Sequence, residues 1–231
     1  MLQYTKYISR HTVLASSLAL LLVLVSSYIY IEKERSALQH DAEQKQIETN
    51  KKLLLLPTKN DVVINPGNKI TIVVYEDTDC RFCREYEHIL DSVAQKNPDV
   101  VSLYFRYKLL PIYRHSRVEA ELLECVKKIN TPAYSDFKKD LFSINSSENL
   151  DLEKLLSMAY MYADKNTLRT CSEDTEAGNT VRDIEATASI LGVTKVPYTF
   201  IFSETSPLIT LVGVQSESAL KQIIENIQTY E

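Results

Sequence analysis

Residues 69–90, KITIVVYEDTDCRFCREYEHIL, decide how the chain is read. Lys69 to Tyr75 is rich in β-branched residues and reads as a buried strand. From Cys80 onward, Phe82, Tyr86, Ile89, Leu90 and Val93 recur at the spacing of one helix face, which Asn97-Pro98 ends. The close cysteine pair, Cys80 and Cys83, stands at the corner between them. Residues 99–108, DVVSLYFRYK, make a second apolar strand, so the segment is a βαβ unit with Cys80 at its strand-to-helix turn.

That position has chemical meaning. Unpaired N–H groups and the helix dipole stabilise a thiolate at a helix N-terminus, and Arg81 adds a positive charge beside it. Cys80 is thus the expected nucleophile. Cys83, one turn on and on the same face, is the resolving thiol. Zinc sites also use C-x-x-C, but usually with a second such pair or paired histidines. Here Cys125 and Cys171 stand apart on separate helical stretches, so a four-cysteine zinc site is the lesser alternative. A purely structural bridge across so short a loop would constrain the unfolded chain little.

Bulk properties exclude other classes. The chain has 231 residues, enough for one sizeable core, with 31 acids against 26 bases and a net charge of -5. No basic face for nucleic acid is expected. Gly numbers only 4, with no phosphate-cradling motif, and the 4 histidines form no metal-ligand pattern.

Thr12 to Ile31, TVLASSLALLLVLVSSYIYI, carries no charge and is long enough to span a bilayer as a helix. Lys6 and Arg10 precede it, and Glu32, Lys33, Glu34 and Arg35 follow and cancel. The short N-terminus is then cytoplasmic and the remainder exported. A cleaved signal peptide is the rival reading, disfavoured because the apolar run continues through Tyr28–Ile31. Either way the body reaches a compartment where disulfides persist. The expected organisation is a cytoplasmic N-terminus at 1–11, a signal-anchor at 12–31, a juxtamembrane linker at 32–61 and a folded body at 62–231.

Within the body, VVIN before Pro66-Gly67 is a short strand. Helical periodicity fills about 112–192, beginning with Val118, Leu122, Val126 and Ile129 and stopping at Gly192. Residues 198–202 and 208–213 read as a hairpin, and Ser216 caps a final helix. The order is β-β-α-β, a helical insertion, then β-β-α. Pro197 opens the strand YTFIF, a position where proline is tolerated.

Three stretches carry a family resemblance. ITIVVYEDTDCRFCREY (70–86) resembles the strand, acidic loop and C-x-x-C helix of DsbA-like thiol–disulfide oxidoreductases of the thioredoxin superfamily. YFRYKLLPIYRHSRVEAELLECVKK (104–128) is similar to that family's strand, His-containing turn and following helix, and LGVTKVPYTFIF (191–202) to its cis-proline strand. The resemblance implies an α/β thioredoxin-like fold with a helical domain inserted between the βαβ unit and the cis-proline hairpin. It implies that Cys80 exchanges, Cys83 resolves, and Pro197 follows a cis bond and docks substrate with Val196, Arg81 and Phe82. It supports Asp77 as a proton relay. Asp79 reads as a helix cap and His115 as a structural residue. Cys125 and Cys171 are either two buried thiols or a pair. The exported setting and the family's second bridge favour a structural Cys125–Cys171 disulfide. The dipeptide Arg81-Phe82 departs from the family's oxidases, which often carry Pro followed by His or Tyr, so the potential is open.

The expected function is introduction of disulfides into exported proteins, with no bound cofactor and no metal. Reduced or unfolded exported proteins are the expected clients, and a quinone-linked membrane protein, DsbB-like or similar to a vitamin K epoxide reductase (VKOR-like), is the expected reoxidant. A reductase or isomerase using the same residues is the alternative, and a non-catalytic binding module on the same scaffold is the third reading.

Overall fold

The period-2 alternation of residues 70–76 gives their strand two apolar faces, so each must be covered. In the computed structural model, which describes residues 2–143 and 151–229 (the side chains of 2–14 and 19 excepted), it is the centre of a five-stranded sheet. In chain order the strands are β1 (Val63–Ile64), β2 (Ile70–Glu76), β3 (Val101–Tyr107), β4 (Tyr198–Phe202) and β5 (Ile209–Val212). They lie side by side as β1-β3-β2-β4-β5. β2 runs parallel to β3, Ile72 opposite Leu103, and antiparallel to β4, Val73 opposite Phe200.

One face of the sheet, through Ile70, Ile72 and Val74, packs on helices α2 (Arg81–Lys96) and α8 (Glu217–Gln228), meeting Tyr86, Leu90, Leu220 and Ile224. Ser216 caps α8 by accepting from Ala219 N. On the other face, Val73, Tyr75 and Phe200 meet Leu55, Ala188 and Leu191.

Between β3 and β4 the chain forms α3 (Ser116–Ile129), a tight turn at Thr131–Ala133, α4 (Tyr134–Ser143), α5 (Leu152–Ala159), α6 (Lys165–Glu173) and α7 (Thr175–Ile190). These helices share a core of their own, built on Leu123, Val126, Phe137, Leu155, Leu168 and Val181. A disulfide between Cys125 and Cys171, Cα atoms 5.8 Å apart, ties α3 to α6. α7 stops where Gly192 takes φ +76, a conformation that costs glycine little.

The chain divides into two units, residues 1–50 and 51–231. The first belongs to α1 (Leu2–Leu54), whose side chains from Leu20 to Ile31 are all exposed. α1 is long and apolar enough, by length and composition, to cross a membrane. Lys6 and Arg10, on which the expected orientation depends, lie outside the described side chains.

In the second unit, residues 51–61, which the sequence reading gave to the linker, are part of the body. Leu55 is fully buried, and Tyr104 Oη donates to its carbonyl. Arg106 donates to the carbonyls of Leu54 and Leu56 at 2.8 and 2.9 Å and pairs with Asp61 at 2.8 Å, both charged side chains being almost wholly buried. Lys52 Nζ donates to the carbonyls of Ser203 and Ser206. The polar, aperiodic sequence hid this strap because its hydrogen bonds are mostly from distant side chains to its own backbone.

Candidate active site

β2 delivers the chain to the site, and Asp77 fixes the turn that follows. Its buried carboxylate accepts from Ser116 Oγ at 2.5 Å, Leu110 N at 2.7 Å and Asp79 N at 3.1 Å. It thereby ties the loop after β3 and the start of α3 to the corner that holds the cysteines. Burial raises its pKa against the pull of these bonds. Asp79 is not the helix cap expected for it. Cys80 is the N-cap residue of α2, in extended conformation and with no side-chain cap bond, while Asp79 lies 3.9 Å from His115 Nδ1. With Cys80 at the cap, its sulfur rather than an oxygen faces the free N–H groups of the first turn.

Cys80 and Cys83 are both reduced and 1% exposed, clustered with Phe142, Tyr113 and Val196. Their environments push them in opposite directions. The Cys83 thiol donating to Cys80, helped by the N–H groups of Cys83 and Phe82 and by the Tyr113 hydroxyl, outweighs burial and brings Cys80 down to about 6. Burial first, then the hydrogen bond to Cys80 and the charges of Cys80 and Glu76, hold Cys83 far above the usual thiol range. One sulfur is ready to be a thiolate at neutral pH, and the other keeps its proton.

Arg81 does not act as expected. Its guanidinium is exposed and held by Glu85 at 3.0 Å, and the groups that most lower Cys80 are others. Phe82 is 55% exposed on the rim. The Val196–Pro197 bond is cis, Val196 packs against the cysteines, and Pro197 O accepts from Gly213 N at 2.9 Å. The two cysteine pairs belong to different clusters, and no group of three or more metal-ligating side chains is assembled among the described residues.

A buried charged group whose Glu76 acts electrostatically on both cysteines was missed by sequence reading. Lys138 Nζ, from α4, is 2.6 Å from Glu76 and 3.1 Å from Glu87, and Lys138 and Glu76 are each 2% exposed. The Lys138 ammonium also sits 3.3 Å from the Phe105 ring centroid. Burial pushes Glu76 up to about 8 despite Lys138, with Glu87 and Cys80 adding to the rise. Glu119, also buried, is pushed up to about 7 by burial, opposed by the nearby Thr78 hydroxyl and aided by the charges of Asp79 and Asp77. A glutamate at a strand end, another on a helix and a lysine some fifty residues on carry no joint sequence signal; only the fold unites them.

The thioredoxin family model matches residues 58–226. No curated protein matches the chain. Among solved structures it is similar to a thioredoxin-like oxidoreductase from Silicibacter pomeroyi DSS-3, at 20% identity and TM-score 0.63 over 75% of this chain and 95% of that one. It is also similar to alpha-DsbA1 from Wolbachia pipientis, at 21% identity and TM-score 0.65 over 75% and 94% of the two chains. DsbA2 from Pseudomonas aeruginosa is similar at 24% identity and TM-score 0.60, over 74% and 94%. These likenesses are of fold: a five-stranded mixed sheet with the helical insertion after its βαβ unit. With most of its length matched by that model, the chain belongs to the thioredoxin family.

Proposed function

We infer that the chain is an exported, membrane-tethered thiol–disulfide oxidoreductase that donates the Cys80–Cys83 disulfide to reduced proteins. The observation that carries the direction is the place of Cys80 at the N-cap of α2, clustered with Cys83 and Tyr113, where donors facing its sulfur lower its pKa to about 6. A stabilised thiolate is a good leaving group and favours the reduced enzyme, which makes the disulfide a stronger oxidant.

In this reading a client thiolate attacks Cys80 Sγ of the oxidised pair. The Cys80–client bond forms as Cys83 leaves. The Cys83 thiolate is held in a place that strongly disfavours its charge, so it must be protonated at once. Glu76, protonated near neutral pH and electrostatically coupled to Cys83, supplies that proton. Asp77, its carboxylate committed to three donors, positions the Tyr113 loop, and the proton role read for it passes to Glu76. A second client thiolate then attacks the client sulfur, and Cys80 departs as a thiolate. Val196, beside the cis Pro197, and the exposed Phe82 are the client-contacting residues.

The α1 helix supports a tether, with the body exported and a quinone-linked membrane protein, DsbB-like or VKOR-like, returning the pair to the disulfide. The exchange needs no bound cofactor.

The test is a redox titration of the full chain in glutathione buffers, with Cys80–Cys83 and Cys125–Cys171 followed separately by alkylation mass. A Cys80–Cys83 potential near about −120 mV, the strong-oxidant end of the range, supports a disulfide donor. A value at or below about −270 mV, where thioredoxin lies, makes it a reductase.

A further inference from the structure

Four loops meet where the cysteines lie. The strand registers bring the end of β2, the end of β3, the start of β4 and the end of β5 to the same edge of the sheet. The loops are residues 77–81, 108–115, 191–197 and 213–216. Their carboxylates face inward: Asp77 is fully buried and the Asp79 side chain is only 11% exposed. Their exposed charges are all positive, being Arg81, Arg114 and Lys195. Each adjoins a residue of the cysteine cluster: Arg81 follows Cys80, Arg114 follows Tyr113, and Lys195 precedes Val196. Glu85 occupies Arg81, but Arg114 and Lys195 have no ion-pair partner among the described residues. Exposed apolar side chains accompany these cations in the chain, Phe82 next to Arg81 and Ile112 two residues before Arg114, the latter 76% exposed. A chain of net charge -5 thus presents a cationic, partly apolar rim around its reactive sulfur.

We propose that this rim selects client segments whose reacting cysteine is flanked by Asp or Glu beside an apolar residue. The selection deepens the exchange reading above and rests on it. Charge complementarity raises the encounter rate and is screened by salt. It also acts on the chemistry. Neighbouring carboxylates raise a thiol's pKa and leave little thiolate in water. Docked against Arg114 and Lys195, the client's carboxylates are neutralised and the thiol ionises. The step is balanced within the exchange. The client loses two electrons and two protons in forming its disulfide, the Cys80–Cys83 bond takes both electrons, one proton ends on Cys83 and one goes to solvent.

The experiment uses the full chain in nonionic detergent, oxidised at Cys80–Cys83. Its rate of reduction by two dithiol peptides is followed by acid quench and alkylation mass. The peptides differ only in Glu or Gln beside the first cysteine, and dithiothreitol serves as a small uncharged reference. The Glu peptide is expected to react about tenfold faster at low salt, an advantage shrinking to below about twofold in 0.5 M NaCl. In Arg114→Glu/Lys195→Glu the Glu-to-Gln rate ratio falls below one, whereas in Arg114→Lys it persists. Because the ratio is taken within each variant, a general loss of structure cannot imitate the reversal. Equal rates for the two peptides with the original chain, or a ratio unmoved by the double reversal, overturn the proposal while dithiothreitol still reacts. If dithiothreitol itself fails to reduce the pair, the exchange reading falls, and the selectivity falls with it.

Discussion

Lys138 Nζ lies 2.6 Å from Glu76 Oε1, with both side chains closed to solvent and Glu76 electrostatically felt by both cysteines. A second carboxylate, Glu87, stands 3.1 Å from the same ammonium. One cation in a closed site balances one carboxylate. Burial, with the Glu87 charge adding to it, outweighs Lys138 and keeps the proton on Glu76 up to about pH 8, while Lys138, against its own burial, stays charged.

Glu76 holds its proton more tightly folded than unfolded. Its contribution to stability is complete below its ordinary value of 4.5 and is lost as pH rises through about 8. Urea unfolding of the reduced chain should show this fall between those limits, and Glu76→Gln should flatten it. Lys138→Met, which leaves carboxylates without a cation, should cost about 3–5 kcal/mol. A Lys138→Met protein as stable as the original would mean the cluster is solvated.

Alkylation of reduced Cys80 should rise with a midpoint near pH 6, while Cys83 stays unreactive across the neutral range. Cys83→Ala removes the largest stabilising hydrogen bond, so the Cys80 midpoint should move up by roughly 1–2 pH units, the worth of a bond to a charged group. Tyr113→Phe should move it the same way by less. Mass-resolved iodoacetamide labelling against pH reads both shifts.

Asp77→Ala strands three donors, two of them backbone N–H groups. We expect a loss of about 2–4 kcal/mol together with a rise in the Cys80 midpoint, because the Tyr113 loop is released. Were Asp77 only a proton relay, exchange would slow while stability and midpoint held.

Cys125–Cys171 closes a sequence separation of 46 residues within the helical insertion. The double change to Ser should lower stability by about 2–5 kcal/mol and leave the pH profile of Cys80 labelling in place. Thermal unfolding and the labelling assay, run on the same samples, separate the two effects.

The cysteine corner was legible because it is local. A β-branched run, a turn and a helical repeat sit side by side in residues 69–90, and the helix must begin where the apolar period does. The Ser216 cap and the Gly192 stop were readable for the same reason. Pairings between distant residues were not. Glu76, Glu87 and Lys138 are drawn together only by packing α4 against α2 and the sheet. Asp79 was read as the cap because Asp is a common one. The three bonds made by Asp77 instead turn the chain so that Cys80 takes that place.

The strap at residues 51–61 separates two kinds of damage. A protease nicking the exposed helix between Glu32 and Asn50 would shed a body that keeps every anchoring bond from Lys52 to Asp61. A nick between Leu56 and Asp61 would instead release Leu55 from the sheet's inner face and take away the Leu54 and Leu56 carbonyls to which the buried Arg106 donates. Loss of α1's exposed part and damage to the fold are then distinct outcomes, decided by which side of Lys51 is cut.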